Sequence, residues 1–133
     1  MVEPRLYIIM REDLPDMNPG KAMAQAAHAQ SDFDEFVNHQ CGMEYKKNYE
    51  LWNSVRSWKD DRSFGTTLVL SATKAAMQVI SMNVLHHGMT IDPTYPWKNW
   101  YGKTFTSVEV TCMWAFTVEA EEISYMQLYP LHQ

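Results

Sequence analysis

The chain predicts an α/β fold in which helices cover one β-sheet. Three observations carry that prediction. Short β-rich runs, RLYIIMR at 5–11 and TTLVLS at 66–71, alternate with segments whose apolar residues recur at helical spacing. The helical segments carry start signals, with Asn18-Pro19 before one and Thr73 before another. No repeat, low-complexity linker or second composition zone divides the 133 residues, so residues 1–133 read as one domain large enough to bury a core.

Taken in order, Arg5–Arg11 is the first strand. Pro19 to about Cys41 is the first helix; Phe33, Phe36 and Val37 continue its buried face, and Ala22, Ala24, Ala26, Ala27 and Ala29 keep it thin enough to lie close to a sheet. Residues 44–58 form a second helix, because Tyr45, Tyr49, Trp52 and Val55 fall at helical spacing. Residues 59–65 are polar and turn-like, and 66–71 return as a strand. Thr73 caps a third helix that runs to Gly88, with Ala76, Met77, Ile80 and Val84 on its core face and His86-His87 in a polar turn at its end. A short strand at 89–92 precedes a loop over 92–105, since two prolines and a glycine interrupt that stretch. Residues 108–118 are the longest strand pattern, and the acidic stretch 119–122 opens a short helix. The closing LYPLH is too short to assign.

Composition narrows the functional classes. Hydrophobic residues make up 46% of the chain, yet no apolar run approaches the ~20 residues of a membrane span. The N-terminus lacks a signal-peptide pattern, so the expectation is a cytoplasmic protein without membrane contact. Cys41 and Cys112 are far apart and without metal-ligand spacing; they read as reduced thiols. The five histidines form no metal box, and neither a metal nor a cofactor is expected.

The richest stretch is REDLPDMNPGKAMAQAAHA at 11–29. Lys21 falls in the first turn of the first helix, beside backbone N–H groups that have no partner inside the helix. Those donors and the positive end of the helix dipole favour an anion. Lys21, Gln25 and His28 recur at i, i+4 and i+7 and project from one face. Singly, such a lysine is most often solvated and such a histidine merely satisfied.

As a string, the stretch resembles the N-terminal signature of the second type of peptidyl-tRNA hydrolase. The matching residues are Arg11, Asp13, Leu14, Met17, Gly20, Lys21, Ala24, Gln25, His28 and Ala29, with one residue inserted between Leu14 and Met17. The resemblance implies a four-stranded mixed sheet with helices on both faces. It also implies that Lys21 matches the lysine implicated in hydrolysis and Asp92 the aspartate of a D-A-G-x-T segment after the third helix. There the pattern departs: Asp92 is followed by Pro93-Thr94-Tyr95-Pro96-Trp97, without the A-G-x-T. Thr94 has the wrong spacing for the family's threonine, and Gly102, Thr104 and Thr106 only loosely match a G-T-x-T element before the last strand.

Residues 92–105, DPTYPWKNWYGKTF, bring Tyr95, Trp97, Trp100, Tyr101 and Phe105 together with Lys98 and Lys103. Rings interleaved with cations suit base stacking beside phosphates, each stacked base being worth roughly 1–3 kcal/mol. Rings in such a segment equally pin it to the body or bury a subunit interface. Eleven basic against sixteen acidic side chains give a net charge of −5, with no basic run beyond Lys46-Lys47. That balance favours a small nucleotide over a large folded RNA.

Two functions follow. In the first, the chain is a nucleotide-binding protein that does not hydrolyse its ligand, similar to the viral sponges that sequester cyclic dinucleotide immune signals as homo-oligomers in the host cytoplasm. Arg11, Asn18, Gly20, Lys21, Gln25, His28, Asp92, Tyr95, Trp97, Lys98, Trp100, Tyr101 and Lys103 would then form the ligand site. In the second, it is an active peptidyl-tRNA hydrolase acting on tRNA, with Lys21, Asp92 and His28 as the catalytic set. The discriminating observation is whether Lys21 and the rings of 95–101 face a common cavity.

Overall fold

A computed structural model describes residues 3–41, 48–60 and 65–132. The element order is β1 (Arg5–Arg11), α1 (Pro19–Cys41), α2 (Tyr49–Asp60), β2 (Thr67–Ala72), α3 (Lys74–Asn83), β3 (His86–Lys98), β4 (Thr104–Thr117) and α4 (Ala120–Met126). The strands form one sheet in the order β2-β1-β4-β3. β1 runs parallel to β2 and antiparallel to β4, and β3 is antiparallel to β4, so the sheet is mixed.

Alternation along β1 divides the core, because successive strand side chains point to opposite faces. Leu6, Ile8 and Met10 face the α1 side: Leu6 packs with Phe33, Val55, Trp58, Trp114 and Phe116, and Ile8 and Met10 pack with Ala22, Ala29 and Cys112. Phe33 is the hub, with ring centroids 5.1 Å from Trp114 and 5.2 Å from Phe116. Tyr7 and Ile9 face α3 and α4, against Met77, Ile80, Met113 and Met126. Helices therefore cover both faces, as expected. No helix among the described residues is long and apolar enough to cross a membrane.

The start of α2 and the 59–65 turn are only partly covered. Residues 44–47, with Tyr45 and the Lys46-Lys47 pair, and 61–64 lie outside the described residues. Within them Lys59 and Asp60 still belong to α2 rather than to a turn.

Two expectations are corrected. The third helix stops at Asn83 instead of running to Gly88. Val84 is extended, and the Leu85 N–H, which a longer helix would spend on its own carbonyls, donates instead to Glu122 Oε2 at 2.8 Å. His86 and His87 consequently open β3, paired with Phe116 and Ala115, and are not a helical turn.

The second correction concerns 92–105, which is not a loop. β3 continues through Pro93 and Pro96 to Lys98, and β4 begins at Thr104, leaving only a short connecting turn. Prolines fit because β3 is an edge strand with one side unpaired. The register shifts between Thr90 and Ile91 and between Asp92 and Tyr95, which takes up the irregularity. Opposite the first shift, Thr111 of β4 is skipped, so Thr111 and Cys112 both turn toward α1.

The opposite edge is covered by the chain's own end. Leu131 bridges to Leu70, with Ser71 N donating to Pro130 O at 3.0 Å and His132 N to Val69 O at 2.8 Å.

Candidate functional site

The site lies where the N-terminal half of α1 crosses β3. Asn18 caps α1 as expected: its Oδ1 accepts from Lys21 N at 2.9 Å. Beyond the cap, α1 lays a line of polar side chains along the edge strand. Lys21 Nζ donates to Pro96 O at 3.2 Å, Gln25 Nε2 to Asp92 Oδ2 at 2.9 Å, and Asp32 Oδ2 accepts from the Thr90 hydroxyl at 2.7 Å. The i, i+4 and i+11 spacing of these residues keeps them on one helical face.

Lys21 also donates to Asp16 O at 3.0 Å, and its ammonium lies 5.4 Å from the Tyr95 ring centroid. An ammonium carries three donors, so two carbonyls leave one N–H for the cleft it lines. That cleft, of about 450 Å³, is walled by Asp16, Met17, Asn18, Lys21, Pro96, Trp97, Lys98 and Thr104. The helix tip and part of the ring-bearing segment thus share one cavity.

Asp92 stands a turn further along. Its Oδ1 accepts from Thr94 N at 2.9 Å and from the Thr94 hydroxyl at 3.4 Å, while Oδ2 takes the Gln25 amide. The Gln25 side chain is buried and oriented from behind, because its Oε1 accepts from the Thr111 hydroxyl at 2.6 Å. Asp92 is partly exposed, and Oδ2, with one donor against two on Oδ1, keeps a lone pair for a further donor.

Several expected ligands are placed otherwise. Tyr95 is fully buried, and its hydroxyl donates to Pro15 O at 2.6 Å; the ring props the loop before α1 and offers no free face. Burial, then the charge of Asp16, pushes its phenol above the ordinary value. Arg11 is held by carboxylates, Nε to Asp13 Oδ1 at 2.8 Å and Nη1 to Glu109 Oε2 at 2.9 Å, and lines a neighbouring cleft instead. Burial alone would push the Asp13 carboxyl up; the Arg11 hydrogen bond, the Lys74 N–H and the Arg11 charge together more than reverse that and hold it low. His28 is exposed on α1, and neither it nor Gly20, Gln25 or Asp92 is among the residues walling the Lys21 cleft. Trp100 and Tyr101 stand at the hairpin tip, with Lys103 5.3 Å from the Phe105 ring centroid. Trp97 and Phe105 stack on each other at 5.2 Å.

Sequence reasoning missed Asp16, Thr111 and Glu109. Asp16 has φ 60°, a left-handed backbone that Asp tolerates, and its Oδ2 accepts from Lys98 N. It falls in the insertion between Leu14 and Met17, and with Pro15 it clamps that loop to β3. The turn-forming string Pro15-Asp16 was the available signal. Thr111 needed the bulge in β4 to reach Gln25, which no local pattern announces. No group of metal-ligating side chains occurs among the described residues.

No curated protein matches the chain significantly. A family model does, the one described as Peptidyl-tRNA hydrolase PTH2, and it matches residues 5–124, from the first residue of β1 into α4. With the mixed sheet, the helices on both faces and the capped lysine of α1 in their expected places, that match settles the family: this chain belongs to the peptidyl-tRNA hydrolase PTH2 family.

Proposed function

We propose that the protein hydrolyses the ester that joins a peptide to the 3′-terminal ribose of a tRNA. The observation that carries this reading is the Gln25–Asp92 contact at 2.9 Å, on the same helix–strand crossing that holds Lys21 beside an open cleft. Membership of the family supports it from a second direction.

The chemistry assigns each group a task. Asp92, steadied by Gln25 and Thr94, orients a water and takes its proton as the oxygen attacks the ester carbonyl. The remaining N–H of Lys21 donates to the oxyanion that develops there. The carbon–oxygen ester bond then breaks, and the proton passes to the departing ribose oxygen. His28, exposed on α1 and hydrogen-bonded to neither Lys21 nor Asp92, is left out of this assignment.

The test is release of an N-blocked amino acid from a model peptidyl-tRNA. Turnover by the wild type, lost in Lys21→Ala and Asp92→Asn with the fold intact, supports the reading. No release with enzyme equimolar to substrate overturns it. One observation favours a second reading, binding without hydrolysis: two carbonyls already hold the Lys21 ammonium, and the family's A-G-x-T is replaced. Calorimetry against cyclic dinucleotides and linear nucleotides tests this second reading. A stoichiometric, unhydrolysed nucleotide bound by an oligomer would support the sponge.

A further inference from the structure

We infer that the tip of the β3–β4 hairpin is a stacking platform for unpaired bases just upstream of an RNA 3′ end. The inference rests on the reading above for its substrate and on the hairpin for everything else. Trp100 and Tyr101 are 85% and 76% exposed, and their rings lie against each other with centroids 3.8 Å apart. Of the rings in this hairpin, Tyr95 is buried and Trp97 and Phe105 stack on each other. The tip pair, stacked ring on ring, is the most exposed of them and leaves its outer faces open.

The rings are held ready. Asn99 Oδ1 accepts from Tyr101 N and Lys103 N, each at 3.0 Å. Asn99 N donates to Lys103 O at 3.0 Å, and Gly102 N to Asn99 O at 2.9 Å. Gly102 supplies the φ of 82° that closes the turn. A platform fixed before binding loses little entropy when a base arrives.

Charge selects the occupant. Residues 93–108 contain Lys98 and Lys103 and no carboxylate, in a chain whose net charge is −5. The hairpin thus carries two cations, with the Asp16 carboxylate bound at Lys98 N, a balance suited to a few phosphates and not to a long duplex. Position selects which bases. Trp97, Lys98 and Thr104 wall the Lys21 cleft, and Trp100 lies two residues beyond Lys98, in the turn that follows β3. An ester held at Lys21 would place the preceding bases over the tip. Bases already paired and stacked in a duplex present no such faces.

The experiment titrates the full chain with a single-stranded RNA tetranucleotide and with a blunt RNA hairpin, following tryptophan fluorescence. Both rings are exposed at a turn tip, so Trp100→Ala and Tyr101→Ala retain the fold, which circular dichroism checks. The tetranucleotide should quench the wild type, and Trp100→Ala should lose that quenching and weaken binding by roughly 5- to 150-fold. Lys21→Ala should keep the quenching although it abolishes turnover, which separates this inference from the hydrolytic reading. Equal binding of the blunt hairpin, or unchanged affinity in Trp100→Ala, overturns the platform. A wild-type dimer that Trp100→Ala dissociates also overturns it, by assigning the rings to a second copy of the chain.

Discussion

Gln25 joins Asp92 to Thr111 through one buried amide: its Nε2 donates to Asp92 Oδ2 at 2.9 Å and its Oε1 accepts from the Thr111 hydroxyl at 2.6 Å. The two bonds fix which end of the amide faces which strand, so the position of the Asp92 carboxylate is set from the interior. Gln25→Leu keeps the bulk but leaves the fully buried Thr111 hydroxyl without this acceptor. The expected loss is about 1–3 kcal/mol of stability, read from urea denaturation. Adding Thr111→Val removes the stranded hydroxyl and should recover a large part of it. A double variant no more stable than Gln25→Leu alone would disprove the linkage.

Gly88 is required by a neighbour. A Cβ built there would lie 2.5 Å from Trp114 Nε1, because the indole crosses the strand directly over its pairing partner. Trp114 is itself packed by Phe33 and Phe36 at 5.1 and 4.8 Å, so it has little room to yield. Gly88→Ala should cost about 1–3 kcal/mol, the usual penalty of overpacking. Gly102→Ala, with open space around it, should cost only about 1–2 kcal/mol of backbone strain. Equal denaturation midpoints for wild type and Gly88→Ala would refute the contact.

Much of this architecture was legible in the residues. Asn18-Pro19 fixed the start of α1, and Thr73 the start of α3, because capping is local chemistry between neighbours in sequence. Lys21 and Asp92 were singled out by a family likeness, and the structure places both at the α1–β3 crossing. What was not legible depends on distant partners. Helical spacing continued past Asn83, but Glu122, far along the chain, captures the Leu85 N–H and releases the strand. Pro93, Pro96 and Gly102 announced a loop; Gly102 does lie in a turn, but the two prolines are compatible with a strand only because β3 is an edge, which is a property of the sheet order. Tyr95 looked like a free ring, and only the fold puts Pro15 within reach of its hydroxyl.

Both thiols should be inert in the folded chain. Cys41 and Cys112 are free and buried, and burial pushes the Cys112 thiol up to about 11. At pH 8 only roughly one molecule in a thousand would carry that thiolate, the reactive form. Its Sγ also donates to Gln25 O at 3.2 Å, against the core of α1. The native protein should leave Ellman's reagent uncoloured over minutes at pH 8, and both cysteines should react at once in denaturant. Rapid modification of Cys112 without denaturant would mean that α1 lifts from the sheet.

His86 should make stability fall on the acid side of neutrality. Burial holds its imidazole below the ordinary value of 6.5; the charge of Glu122 opposes that and His87 adds to it. The folded chain therefore prefers neutral His86, and the unfolded chain binds the proton first as pH falls. Its contribution is present above 6.5 and is lost as pH drops from there through the depressed folded value. The ring lies 6.2 Å from the Phe36 centroid, so His86→Phe preserves an aromatic there while removing the titration. Urea midpoints at pH 7.5, 6.5 and 5.5 should fall more steeply for the wild type than for His86→Phe. Parallel slopes would place the acid sensitivity elsewhere, and would mean that His86 takes up its proton as readily in the folded chain as in the unfolded one.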